Sequence, residues 1–154
     1  MPLKDFNWKA LIAIGVLAGL IQVATGVAMY VAGVYFATWS ILVSLFVLLL
    51  CIVFGTRWYR GAVLKDRITY GQALLVGIVI SVSTGVVYAF YNIISITFVY
   101  PRFLEDLISV NAAMRGRVTA NTIALANLIR LSVIGSILSV LASFALKRRP
   151  RNIT

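Results

Sequence analysis

The sequence predicts an all-α membrane protein: four transmembrane helices, both termini on the cytoplasmic side, and a short amphipathic interfacial helix in the loop between the third and fourth. Three observations carry that prediction. Of 154 residues, 62% are hydrophobic and 12% charged, against about 45–50% and about 25% in soluble domains. Four apolar stretches approach or exceed the roughly 20 residues that a helix needs to cross a hydrocarbon core of about 30 Å. The 14 Lys and Arg residues behind the net charge of +10 are concentrated at one side of those stretches. A basic balance suits nucleic acid only when a folded polar surface carries it, and too little polar sequence remains to build one.

The first span, about 10–34, holds no charge and one strongly polar side chain, Gln22. Lys4 and Lys9 precede it as in a secretory signal, but the run is too long for a signal core and shows no clear cleavage site, so a retained helix is expected. The second, about 39–55, is the most uniformly apolar, with Ile41 to Phe54 interrupted only by Ser44. Cys51 lies within it; a lone cysteine allows no internal disulfide and reads as a small packing residue. The third, about 71–99, is long enough to tilt, with Thr69 placed to cap it and Tyr70 at headgroup level. After Tyr100-Pro101, the segment 102–118 sets Phe103, Leu104, Leu107, Ile108 and Met114 near one helical face. Glu105 and Asp106 come early and Arg115 and Arg117 late, the order that suits a helix dipole. This outer helix reads as a cap on the bundle or as a docking surface. The fourth span, about 124–146, carries Arg130.

Counting Lys and Arg at the span ends sets the orientation. Lys4 and Lys9, then Arg57, Arg60, Lys65 and Arg67, then Lys147, Arg148, Arg149 and Arg151 all fall on one side. With Asp5 and Asp66 they sum to +8; the outer loop supplies +1 and Arg130 the last +1. The positive-inside rule makes the +8 side cytoplasmic, and anionic lipid headgroups are its expected partners. Trp8, Trp58, Tyr59 and Tyr70 are expected at the inner boundary, Tyr35, Trp39, Tyr100 and Phe103 at the outer.

Helices in lipid associate through close backbone approach, so small residues every four positions mark packing faces. Ala73, Gly77, Ser81, Gly85 and Ala89 form such a stripe on the third span. Gly15, Gly19, Gly26 and Gly33 mark the first and Gly135, Ser139 and Ser143 the fourth. Spans one, three and four are therefore expected to form the tight core, and the Leu-rich second to face lipid or a partner. The stripes could instead line a substrate path. Thr25 to Val27 and Thr84 to Val86 share Thr-Gly-Val, a weak hint of a duplicated hairpin in parallel orientation.

Arg130 is the one ionisable residue inside a span, a functional candidate by default. It lies within reach of outer phosphates or of Glu105 and Asp106, so snorkelling or pairing competes with a ligand role. Gln22, Asn92 and Asn127 complete the intramembrane polar candidates, with interhelical hydrogen bonding as their simplest role. No span contains the Asp, Glu or His on which proton-coupled carriers depend. With no His, one Cys and four scattered acids there is no metal cluster, activated nucleophile or acid–base pair, so neither cofactor nor enzyme activity is expected. No Gly-rich loop joins a strand to a helix for nucleotide binding.

Several segments together resemble a family of small bacterial integral membrane proteins, the domain of unknown function four-one-nine-nine. They are Asn7-Trp8-Lys9, Arg57-Trp58-Tyr59-Arg60, Ile68-Thr69-Tyr70-Gly71-Gln72-Ala73-Leu74 with Gly77, and Tyr100-Pro101-Arg102-Phe103. A basic C-terminus completes the pattern, which spans nearly the whole chain. The resemblance implies a four-helix protein of the bacterial inner membrane and supplies no activity or site residue. The leading expectation is a non-enzymatic scaffold or accessory subunit, self-associating or joined to another membrane protein. The alternative is an uncoupled small-solute transporter or channel formed by an oligomer and lined by Ser81, Thr84, Asn92, Asn127 and Arg130.

Overall fold

The computed structural model of the chain describes residues 6–64, 68–110 and 115–146. All regular structure among them is helical: α1 (Trp8–Val31), α2 (Ser40–Ala62), α3 (Tyr70–Ile94), α4 (Phe103–Val110) and α5 (Ala120–Leu146), with a π-helical turn, Ser95–Val99, closing α3. α1, α2, α5 and α3 with its π-turn are long and apolar enough to cross a membrane. Each leaves large apolar side chains exposed, among them Leu17, Phe46, Phe54, Phe90, Ile137 and Phe144, a surface suited to lipid rather than water.

Local chemistry sets the helix ends. The Asn7 side chain accepts the Ala10 N–H at 3.1 Å and starts α1. α1 stops at Val31, short of the expected residue 34, because Gly33 turns left-handed at φ +71°. The Gly33 N–H then bonds the Tyr30 carbonyl and the Val34 N–H the Met29 carbonyl, a Schellman closure. Gly33 is thus a helix stop, and a Cβ built there would meet nothing within 4 Å, so it is not the packing residue expected. α2 continues seven residues past the expected end near Gly55, because the apolar run ends there while the helix goes on to place Thr56 and Tyr59 inside. Thr69 and Gln72 form a reciprocal capping box at the start of α3. At its far end the Tyr100 N–H bonds the Ser95 carbonyl at 2.7 Å, and Pro101 forbids further helix. Thr119 and Thr122 exchange hydrogen bonds at the start of α5, which begins four residues before the expected 124. Of the expected outer helix over 102–118, the helix α4 covers Phe103–Val110, residues 115–117 form a turn, and 111–114, with Met114, lie outside the described residues. Phe103, Leu104, Leu107 and Ile108 on α4 are half-buried, and Glu105 and Asp106 are exposed.

α3 is the central helix, with α5 on one flank, α1 on another, and α2 touching all three. Glycines set the spacing. A Cβ built on Gly77 would stand 2.6 Å from the Cβ of Ser139, and one built on Gly135 would stand 2.5 Å from that of Ser81. These two contacts mirror each other one helical turn apart. They leave α3 and α5 antiparallel at a separation that no larger residue permits. Gly85 continues the register against Leu128 and Ser132. On the other flank, a Cβ on Gly15 would overlap Ser83 and one on Gly19 would stand 2.6 Å from Val87 Cβ, which fixes α1 parallel to α3.

α2 belongs to this core more than its composition implies. Its Leu48 and Ile52 are fully buried and reach the notches at Gly135 and Gly77, coming within 3.4 and 3.3 Å of a Cβ placed there. The opposite face, with Ile41, Leu42, Phe46, Phe54 and Trp58, is exposed. Tyr59 departs from the expected boundary role: it is fully buried, its hydroxyl accepts the Asn7 N–H at 2.9 Å, and Phe6 stacks on its ring. It latches the start of α1 to the end of α2.

Gly77→Leu and Gly135→Leu are each expected to lower unfolding free energy in mixed micelles by about 3 kcal/mol, since backbone or a packed serine must move. Gly71→Ala, in open space on the first turn of α3, is expected to change it by less than about 0.5 kcal/mol.

Candidate functional site

The polar residues expected inside the spans do not converge on one point. Gln22, buried on α1, donates from Nε2 to the Ser44 carbonyl of α2 at 2.9 Å, and its Oε1 accepts from the Ser44 hydroxyl at 3.2 Å. Ser44, the only break in the second apolar run, is therefore the partner of the one polar residue in the first. The Ser81 and Ser139 hydroxyls donate to the carbonyls of Gly77 and Gly135 on their own helices, at 2.8 and 2.7 Å. Thr84 Oγ1 donates across to the Gly15 carbonyl of α1 at 3.2 Å, whereas Thr25 bonds back to Ile21 on its own helix. The two Thr-Gly-Val segments thus occupy unlike surroundings. These bonds satisfy groups that lipid would leave unpaired, and they offer no reactive atom to a ligand.

A second polar region sits at the α4 end of the molecule. Asn92 is buried on α3 and donates from Nδ2 to the Tyr88 carbonyl one turn below, at 2.8 Å. With Tyr88, Tyr91 and Ser95 on the same helix, Tyr30 of α1, Tyr35 of the α1–α2 connection, and Tyr100 and Phe103, it lines a small cavity of about 30 Å³. Five of the seven tyrosines of the chain meet there. Tyr30, Tyr35 and Tyr100 also line an adjoining, larger cavity of about 450 Å³ with Val31, Gly33, Phe36 and Asp106. The rings interlock: Tyr30 lies 5.5 Å from Tyr100 and 5.8 Å from Phe103 between centroids, and Tyr35 stands edge-on to Phe103 at 5.4 Å. The Tyr30 hydroxyl donates to Asp106 Oδ2 at 3.0 Å and ties α1 to α4.

Arg130, half-buried on α5, interacts electrostatically with Tyr88, and its Nε is buried with no hydrogen-bond partner. Among the described residues no ion pair joins Arg130 to Glu105 or Asp106; Asp106 accepts from the Tyr30 hydroxyl through Oδ2, and Glu105 is exposed. Asn127, one turn from Arg130, is half-buried.

Sequence reasoning assigned Tyr35, Tyr100 and Phe103 to a lipid boundary and overlooked Tyr30, Tyr88 and Tyr91. A signal was present. Tyr88, Tyr91, Asn92 and Ser95 recur at three- and four-residue steps, which puts polar atoms on one face at the end of the third span. Among the described residues no group of three or more His, Cys, Asp or Glu could hold a metal ion.

A family model described as "Protein of unknown function (DUF4199)" matches residues 13–148. No curated protein and no solved structure matches the chain.

Since no carboxylate among the described residues pairs with Arg130, Arg130→Leu is expected to leave stability in nanodiscs unchanged or raised, by up to about 2 kcal/mol, as removal of an intramembrane charge should. Gln22→Leu removes the interhelical partner of the Ser44 hydroxyl and is expected to cost about 1 kcal/mol. Denaturant titration of both variants checks the contrast in sign.

Proposed function

The chain belongs to the DUF4199 family, which carries no assigned activity, and we propose that it is a non-enzymatic scaffold or accessory subunit of a membrane assembly. The observation that carries this reading is a lateral groove between α1 and α2, a cavity of about 510 Å³. It is lined by the small residues Ala10, Ala13, Ala18, Cys51 and Gly55 and by the larger Ile14, Leu17, Ile21, Phe54 and Trp58. Small residues in an exposed groove let a transmembrane helix approach closely and pack. A helix of a second copy or of another membrane protein is the occupant we assign to it.

The reading places this multi-pass protein in the bacterial inner membrane as a four-helix bundle. The +8 side faces the cytoplasm and its anionic headgroups, and α4 lies at the outer surface. Passage of solute through an oligomer is the less supported alternative. Of the residues that would line it, Ser81 and Thr84 are buried in helix contacts, with their hydroxyls already committed to backbone carbonyls.

Cys51 lies in the groove and is the only cysteine, so it reports occupancy directly. Crosslinking of native membranes with a bismaleimide is expected to give a product larger than the monomer. Ala13→Phe, which fills the exposed groove without touching the core, is expected to reduce that product about tenfold. A chain that stays monomeric in mild detergent, captures no partner and crosslinks identically in Ala13→Phe contradicts the proposal.

A further inference from the structure

We propose that the larger aromatic cavity at the α4 end is a binding site for an organic ammonium cation, with Tyr30, Tyr35, Tyr100 and Phe36 as its walls and Asp106 as its counter-charge. This is independent of the assembly reading, which concerns a groove nearer the other end of α1, lined by residues from Ala10 to Ile21. Three separate parts of the chain converge on the cavity: the end of α1, the α1–α2 connection, and the start of α4 with the residues before it. Tyrosines at a membrane boundary ordinarily turn their rings to headgroups and need no further role. These do something else. Tyr35 stands at 79° to Tyr30 and at 82° to Phe36, so neighbouring rings meet as wall and floor instead of lying flat against lipid.

The chemistry of the lining selects the ligand. Aromatic faces attract cations through the ring quadrupole, and the attraction grows as water is excluded. The one ionisable carboxylate in the lining, Asp106, is held by the Tyr30 hydroxyl at 3.0 Å. That bond leaves the other carboxylate oxygen available and fixes its direction. A hydrated Mg²⁺ or Ca²⁺ requires several oxygen ligands, which a single carboxylate among rings does not supply. A methylated ammonium group instead gains from every ring it touches and requires one counter-charge. At about 450 Å³ the cavity is of ligand size. Arg102 beside it is exposed and does not line it. The ammonium could belong to a free solute or to a lipid headgroup, and the experiment separates the two.

The full chain in phosphatidylglycerol nanodiscs is titrated with choline by calorimetry, alongside its neutral isostere 3,3-dimethylbutanol. Choline is expected to bind, and the isostere at least about tenfold more weakly. Asp106→Asn and Tyr100→Ala are each expected to weaken choline about tenfold, whereas Tyr100→Phe, which keeps the ring, retains it. Both altered side chains are exposed, and unchanged unfolding midpoints show that the fold is kept. Loss of the choline signal in nanodiscs containing phosphatidylcholine assigns the site to lipid headgroups, and its persistence assigns it to soluble cations. Absence of choline binding, equal binding of the isostere, or indifference to both Asp106→Asn and Tyr100→Ala overturns the proposal.

Discussion

The distance between α3 and α5 is the constraint on which the rest of the molecule depends. Apolar side chains gain nothing by leaving lipid for one another, so the helices must hold together by contact between backbones. Gly77 against Ser139 and Ser81 against Gly135 supply that contact twice, in opposite directions, over a single turn. Once α3 and α5 are this close, the notches beside the two glycines admit Leu48 and Ile52 of α2. The other side of α3 receives α1 through Gly15 and Gly19. α3 contributes the largest set of buried residues because each of the other long helices uses it as a wall.

The same constraint governs the polar atoms. Serine is as small as the packing requires, but its hydroxyl must be satisfied without water, and back-bonding to the fourth residue before it meets both demands. Gln22 with Ser44, and Thr84 with Gly15, join neighbouring helices by the same logic. Exceptions occur among the described residues. Thr56 Oγ1 is buried without a partner at the far end of α2, and Arg130 Nε is buried without one on α5. The second lies beside the one region where rings, an amide and a carboxylate gather. Structure and chemistry are therefore divided along the helix axes: a tightly packed middle, and an aromatic chamber at the α4 end.

Much of the middle was legible in the sequence because close packing in lipid leaves a periodic trace. Gly77, Ser81 and Gly85 on α3, Gly15 and Gly19 on α1, and Gly135 and Ser139 on α5 are contact residues in the structure, and Thr69 forms a cap. Residues of the segments that carry the family resemblance have mechanical roles: Tyr59 latches α1 to α2, Gln72 completes a capping box, and Phe103 joins the aromatic cluster. What escaped the sequence depended on which helices are neighbours. α2 reads as a lipid-facing helix from its leucines, yet Leu48 and Ile52 on successive turns enter notches that belong to other helices. Gly33 shares the spacing of packing glycines and serves as a stop. Tyr30 and Asp106 are 76 positions apart, and only the return of α3 beside α1 brings them together.

Exchange of the paired volumes between α3 and α5 tests the central contact most directly. Gly77→Ser, Ser139→Gly and the double variant are compared by denaturant titration in the same micelle. Gly77→Ser alone is expected to be strongly destabilising, and adding Ser139→Gly to restore most of the loss, a coupling of about 2 kcal/mol. Additive effects, with the double variant no more stable than Gly77→Ser, would contradict it.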